Sequence, residues 1–259
     1  MKLEFIQYTL QERTAYITLN RPEKRNALNH QVVTELKTAF KNAEEDKQVK
    51  VIVLNAKGKA FCAGADLAYI QHLQENTFEE NLADSSHLKE LFYQIYTHPK
   101  VVIAAVQGHA IAGGCGLATV CDVVFAVPEA RFGYTEVRIG FIPAIVSLFL
   151  IRKIGEAKAK ELLLSGELIT AAQAAKDHLI NFIVEAATLS EEVDRYAKIL
   201  CEKNSAEAMA ATKLLMAHIQ EMDLVEALEY AAKQNARTRE SDDCRRGIAA
   251  FLNQEKIIW

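Results

Sequence analysis

The chain has 259 residues, half of them apolar and a quarter charged, enough for one or two compact domains with a sizeable core, which excludes a disordered tail. Thirty Lys and Arg against 34 Asp and Glu leave a formal charge of −4, so nothing global favours a nucleic-acid partner. Five cysteines without a C-x-x-C pair point to a reduced, cytoplasmic protein; the segment MKLEFIQYTLQERTAYITLN lacks the apolar region of a secretory leader, and the run Ile139–Ile151 is too short to span a bilayer, so no membrane partner is expected.

Four β-branched runs, Ala15–Leu19, Val49–Leu54, Val101–Val106 and Val123–Val127, read as buried strands. Between the first two, Asn29 reads as an N-cap, and Val32, Val33, Leu36, Phe40 and Ala43 share one face of the helix that follows. Strand, helix, strand is the unit, and parallel pairing with helical crossovers makes this an α/β protein. From about residue 155 the pattern turns helical. Thr170 with Gln173 has the form of a capping box, and Ser190 is expected to cap a further helix. Stripes follow at Val193, Tyr196, Ala197 and Leu200, at Leu224, Leu228 and Ala231, and at Ile248, Phe251 and Leu252. No linker separates residues 191–259 from residues 1–190, so the helices should pack on the core or on a neighbouring subunit.

Three segments can carry chemistry. Lys59–Leu67 places Ala63, Gly64, Ala65 and Asp66 just after a strand, where small residues let a ligand approach the backbone and a helix starting at Asp66 would leave N–H groups unpaired. An ordinary loop capped by Asp66 fits the same residues. Gln107–Ala118, with Gly113, Gly114 and Gly116, repeats the logic of strand, glycine turn and helix. Two such turns converging on one oxygen would form an oxyanion hole worth roughly 3 kcal/mol per donor. Close helix packing or a phosphate loop are the alternatives, and a dinucleotide fingerprint fits poorly. In Ala130–Gly140, Glu136 sits among apolar and aromatic residues that would raise its proton affinity towards general acid–base work; a salt bridge to Arg131 or Arg138 is the other reading. No G-x-S-x-G elbow and no metal-ligand spacing occurs.

Phe61-Cys62-Ala63-Gly64-Ala65-Asp66-Leu67, Ala112-Gly113-Gly114-Cys115 with Cys121-Asp122, and Phe132-Gly133 through Glu136 to Ile142-Pro143 resemble, in order and spacing, the enoyl-CoA hydratase/isomerase (crotonase) superfamily. Asn20–Leu28 is similar to that family's first coenzyme A segment, and the C-terminal helices to its trimerisation region. The resemblance implies a spiral of ββα turns over 1–190 holding an acyl-CoA site, a helical oligomerisation region over 191–259, and a homotrimer or dimer of trimers. It assigns the oxyanion amides to Ala65 and Gly113, places Lys24, Arg25 and Ala27 near the adenine and phosphates, and sets Ala63, Asp66, Leu67 and Gly114 along the acyl-CoA. Phe251 lies in the segment that reaches a neighbouring subunit's coenzyme. No separate cofactor is implied, since coenzyme A belongs to the substrate.

Hydratases of this family usually carry two catalytic glutamates, in GGCE and in FGxxE. Here the first is Gly116, and only Glu136 remains. One carboxylate can take a proton from water and return it to the α-carbon, or shuttle a proton from the α- to the γ-carbon as a double-bond isomerase; a non-catalytic acyl-CoA-binding member is the third option. The run Thr135–Ser147 is similar to bacterial methylglutaconyl-CoA hydratases, which implies hydration of 3-methylglutaconyl-CoA in leucine breakdown.

Overall fold

The computed structural model describes residues 3–259. An antiparallel hairpin opens it, β1 (Ile6–Gln11) pairing with β2 (Thr14–Leu19) from Ile6 opposite Leu19 to Gln11 opposite Thr14. Helix α1 (His30–Glu45) then crosses to β3 (Val51–Ala56), parallel to β2. The Asn29 carboxamide accepts the Val32 N–H at 2.9 Å, and Val32, Val33, Leu36, Phe40 and Ala43 all fall on the buried face. The strand begins at Val51 rather than Val49, because the Val49 N–H closes a turn onto Asp46 O before pairing starts.

From here the chain repeats one progression of long strand, short strand and helix. β3 is followed by β4 (Ala60–Cys62), α2 (Leu67–Leu73) and α3 (Phe78–Tyr96). β5 (Val101–Val106) is followed by β6 (His109–Ile111) and α4 (Gly113–Thr119). β7 (Val123–Ala126) is followed by β8 (Arg131–Gly133) and α5 (Ala144–Ile154). α6 (Glu156–Ser165), β9 (Ile169–Thr170), α7 (Ala171–Lys176) and β10 (Phe182–Ile183) complete the core. Each turn of this spiral adds its long strand to one sheet, ordered β1-β2-β3-β5-β7-β10, and its short strand to another, ordered β4-β6-β8-β9. β5 and the Val51–Leu54 part of β3 are continuous apolar runs because both faces of the first sheet are covered there.

Four helices end the chain: α8 (Leu189–Lys203), α9 (Ala206–Ile219), α10 (Leu224–Thr238) and α11 (Asp242–Leu252). Ser190 does not cap α8. Buried Leu189 draws the first turn two residues earlier, Thr188 takes the cap position without a side-chain bond, and Ser190 lies exposed inside the helix. The 190/191 boundary therefore falls in the first turn of α8, which packs on the core through Val193 and Ala197 and is tied to β2 by the Tyr16 hydroxyl donating to Asp194 at 2.7 Å. The Thr170 box is half formed: the Gln173 N–H reaches Thr170 Oγ1 at 3.1 Å, but the Gln173 side chain turns forward to Asp177.

Candidate active site

Three adjacent short strands set the geometry. β4, β6 and β8 run parallel, with Cys62 beside Ala110 and Ile111 beside Gly133. Ala65 follows the end of β4, Gly113 the end of β6 and Glu136 the end of β8, each within 3 residues of its strand. All three therefore leave the same edge of one sheet, where parallel strands open a crevice for ligands.

The first two turns touch. A Cβ added to Gly64 would lie 2.9 Å from Ile111 O and 3.4 Å from Gly113 N, and the Gly64 φ of +87° favours glycine independently. Among the described residues, neither the Ala65 nor the Gly113 N–H has an acceptor. Between them Ala112 adopts φ 51° and ψ −127°, a strained conformation for a residue with a Cβ, held by the Ala112 N–H on Gly133 O at 2.7 Å and the Gly116 N–H on Ala112 O at 3.0 Å. Two free donors thus sit in neighbouring turns whose backbone is over-determined by the surrounding bonds.

The 20–28 loop lies along the first of these turns. The Ala63 N–H donates to Arg25 O, Leu28 N–H to Gly64 O and Asp66 N–H to Leu28 O, while the buried Asn26 carboxamide binds Lys57 O and Ala60 O. Lys24 and Arg25 are exposed on this loop and Ala27 is buried behind it. Asp66 caps α2 by accepting the Ala68 N–H, and pairs with Arg21 at 2.7 Å. Burial pushes the Asp66 carboxyl up, but the Arg21 hydrogen bond and charge outweigh it and hold the group below its usual range. Arg21 thus adds a side-chain tie between the basic loop and the turn that follows β4 to the backbone bonds already there. Leu67 is exposed at the start of α2.

Glu136 is only partly exposed, and its Oε2 is buried with no hydrogen-bond partner among the described residues. Neither expected arginine pairs with it: Arg138 binds Glu167, and Arg131 donates to Ala130 O. Desolvation raises its proton affinity above that of an ordinary glutamate. A desolvated carboxyl with an unpartnered oxygen, leaving the same end of the sheet as two unpaired N–H groups, can exchange protons with a ligand bound across these turns.

Position 116 is closed. A Cβ on Gly116 would stand 2.2 Å from Val146 Cγ1 and 2.9 Å from Phe92 Cε1, so α5 and α3 fill the space a first glutamate would need. Gly114 is buried with its would-be Cβ 2.2 Å from Cys62 O, where the missing side chain lets α4 pack on β4. Phe251 is 83% exposed on α11. Cys62 and Cys115 are fully buried thiols pushed up to about 12 by desolvation, which removes them as nucleophiles. Sequence reasoning missed Val146 and Phe92, which lie in other helices, and it passed over Tyr134 and Thr119 for want of any motif.

The enoyl-CoA hydratase/isomerase family profile matches residues 9–259. A Thermus thermophilus protein named enoyl-CoA hydratase is 42% identical over 240 residues, covering 93% of this chain and 94% of its own. An Escherichia coli protein named 2,3-dehydroadipyl-CoA hydratase is 34% identical over 245 residues, 94% of each chain. The crystal structure of an enoyl-CoA hydratase/isomerase (crotonase) from Legionella pneumophila, 40% identical, superposes with a TM-score of 0.89 over 99% of both chains. With a family match over nearly its whole length and these site turns in place, the chain belongs to the enoyl-CoA hydratase/isomerase family and has the crotonase fold.

Proposed function

We propose that the protein adds or removes water across the 2,3 double bond of an enoyl-CoA thioester. The observation that carries this reading is the desolvated Glu136 carboxyl, its Oε2 unpartnered, beyond the end of β8, on the sheet whose neighbouring strands β4 and β6 lead to the free Ala65 and Gly113 amides. Both amides donate to the thioester oxygen as it gains enolate charge. Glu136 accepts a proton from water while the hydroxyl adds at C3, and then returns that proton to C2, so the carboxylate is regenerated. Lys24, Arg25 and Ala27 lie near the coenzyme's adenine and phosphates, and Ala63, Asp66 and Leu67 along its pantetheine; coenzyme A arrives with the substrate and no further cofactor is used.

The substrate we favour is 3-methylglutaconyl-CoA, on the similarity of Thr135–Ser147 to bacterial hydratases of that compound. The E. coli relative is named for 2,3-dehydroadipyl-CoA, another enoyl-CoA with a distal carboxylate, so the shared chemistry is a dicarboxylic enoyl thioester. The lone glutamate also supports a second reading, isomerisation of a 3-enoyl-CoA without water. Incubation with crotonyl-CoA, a 3-enoyl-CoA, 3-methylglutaconyl-CoA and 2,3-dehydroadipyl-CoA separates them at the absorbance of the conjugated thioester: loss of conjugation is hydration, and gain is isomerisation. Glu136→Gln should lower turnover at least ~10²-fold with acyl-CoA binding retained; turnover equal to the parent would remove Glu136 from the mechanism. Unpaired thiols at all five cysteines support a reducing, cytoplasmic setting. The apolar faces of α10 and α11 support a homotrimer or dimer of trimers.

A further inference from the structure

Tyr134 stands two residues before Glu136 and is 0% exposed. A buried phenol needs a partner for its hydroxyl, a requirement that phenylalanine would fill the same space without, so the oxygen's destination is informative. It lies 2.7 Å from Thr119 Oγ1, the side chain of the last residue of α4. Thr119 Oγ1 is 2.8 Å from Cys115 O and has a single proton, which goes to that carbonyl. Tyr134 is therefore the donor and Thr119 Oγ1 the acceptor.

Thr119 is itself fixed. Its carbonyl, with that of Cys121, accepts from the buried Lys153 ammonium at 2.9 Å, which fastens the end of α4 to α5. At the other end of the same helix, the Ala112 N–H binds Gly133 O at 2.7 Å, immediately before Tyr134. The segment leading to Glu136 thus meets α4 at both ends, and two points of attachment fix orientation as well as distance. The Glu136 carboxyl has no partner at Oε2 among the described residues, so its aim depends on how the backbone that carries it is held. The remaining side-chain tie nearby, Arg138 with Glu167, is solvent-exposed and weak.

We propose that Tyr134 is a positioning residue: through Thr119 it clamps the loop bearing Glu136 to the helix that presents Gly113, and so sets the acid relative to the oxyanion amides. This rests on the acyl-CoA reading of the site. Strand pairing and the Ala112–Gly133 bond set the coarse geometry between acid and oxyanion hole, and this buried hydrogen bond adds the second point of attachment, where sub-ångström changes affect rate more than binding.

Tyr134→Phe, Thr119→Val and the double variant test it, with Tyr16→Phe as control, since the Tyr16 hydroxyl also donates a hydrogen bond, to the Asp194 carboxylate, between β2 and α8. Tyr134→Phe and Thr119→Val should each lower kcat roughly 10- to 100-fold with KM changed less than about twofold. The double variant should be no worse than either single one, because both remove the same contact. In ¹³C titrations, assigned with Glu136→Gln, the Glu136 carboxyl should move down towards the ordinary glutamate range as the released side chain meets water. Tyr16→Phe should lower the melting temperature without altering kcat or that titration. If Tyr134→Phe behaves like Tyr16→Phe, the clamp is structural and the proposal is overturned; should that variant fail to fold, Thr119→Val decides alone. A parent protein inactive on every enoyl-CoA would sink the catalytic reading instead, and the Glu136 titration, which needs no turnover, would then decide the positioning role.

Discussion

At Glu136 the requirements of catalysis and of stability pull in opposite directions with pH. Burial raises the folded-state affinity of this carboxyl for its proton, so over the interval between the ordinary glutamate value and the raised one the native protein binds more protons than the unfolded chain. Stability conferred by the protonated form is present below that interval and declines as pH rises through it. Turnover follows the other sign: the base must be ionised, so activity falls as pH drops through the raised value. Glu136→Gln separates the two. Its melting temperature should exceed that of the parent at pH 8, and the gap should close at pH 4, where the parent's carboxyl is protonated in both states. A gap equal at both pH values would mean that the carboxyl is fully hydrated in the native protein.

At the scale of elements, the packing of α4 against α3 and α5 explains why this chain has one acid. Val146 is β-branched and locked into few rotamers on α5, so it cannot swing away from a side chain at 116. Gly116→Ala should therefore destabilise by ~1–3 kcal/mol, read from denaturant midpoints, and Val146→Ala on that background should recover most of the loss. Gly116→Glu/Val146→Ala is expected to fold and to hydrate crotonyl-CoA faster than the parent, whereas Gly116→Glu alone should unfold. Recovery by Val146→Ala at position 116 without any gain on crotonyl-CoA would show that packing, not chemistry, governs the glycine. These elements were unevenly legible. β2, β3, β5 and β7 announce themselves as β-branched runs because they are buried on both faces. β4, β6 and β8 span only 3 residues each, too few for any periodicity; the first two were visible only through the glycine turns that follow them, and the third only through the segment around Glu136. That is why the turns could be singled out while the second sheet that aligns them could not. Val146 and Phe92 belong to no motif near Gly116, so the filled position emerges only when three helices meet. The start of α8 was misplaced because capping chemistry at Ser190 competes with burial of Leu189, and burial prevails.

The molecule leaves apolar side chains exposed on several elements, and on α10 and α11 they line up as stripes. α8 satisfies its stripe against the core, but α10 and α11 point theirs outward: Leu224 is 75% exposed, Leu228 63%, Phe251 83% and Leu252 73%. Scattered exposed leucines need no explanation, but two whole helical stripes facing solvent are what an oligomer interface would bury. Their spacing was readable in the sequence as amphipathic helices; which surface they cover was not, because periodicity gives the direction of an apolar face and nothing about what meets it. Light scattering should accordingly give three or six times the protomer mass. Leu224→Asp/Leu228→Asp should shift the protein to monomers, since charges placed on a desolvated stripe cannot be paired there. The position of Phe251 makes the same experiment speak to function. If this ring reaches a neighbour's coenzyme, the monomeric variant should bind acyl-CoA several-fold more weakly, and Phe251→Ala should reproduce that loss in protein that remains assembled. Monomers that keep full acyl-CoA affinity would confine the coenzyme site to one chain, and Phe251→Ala would then be expected to affect assembly alone.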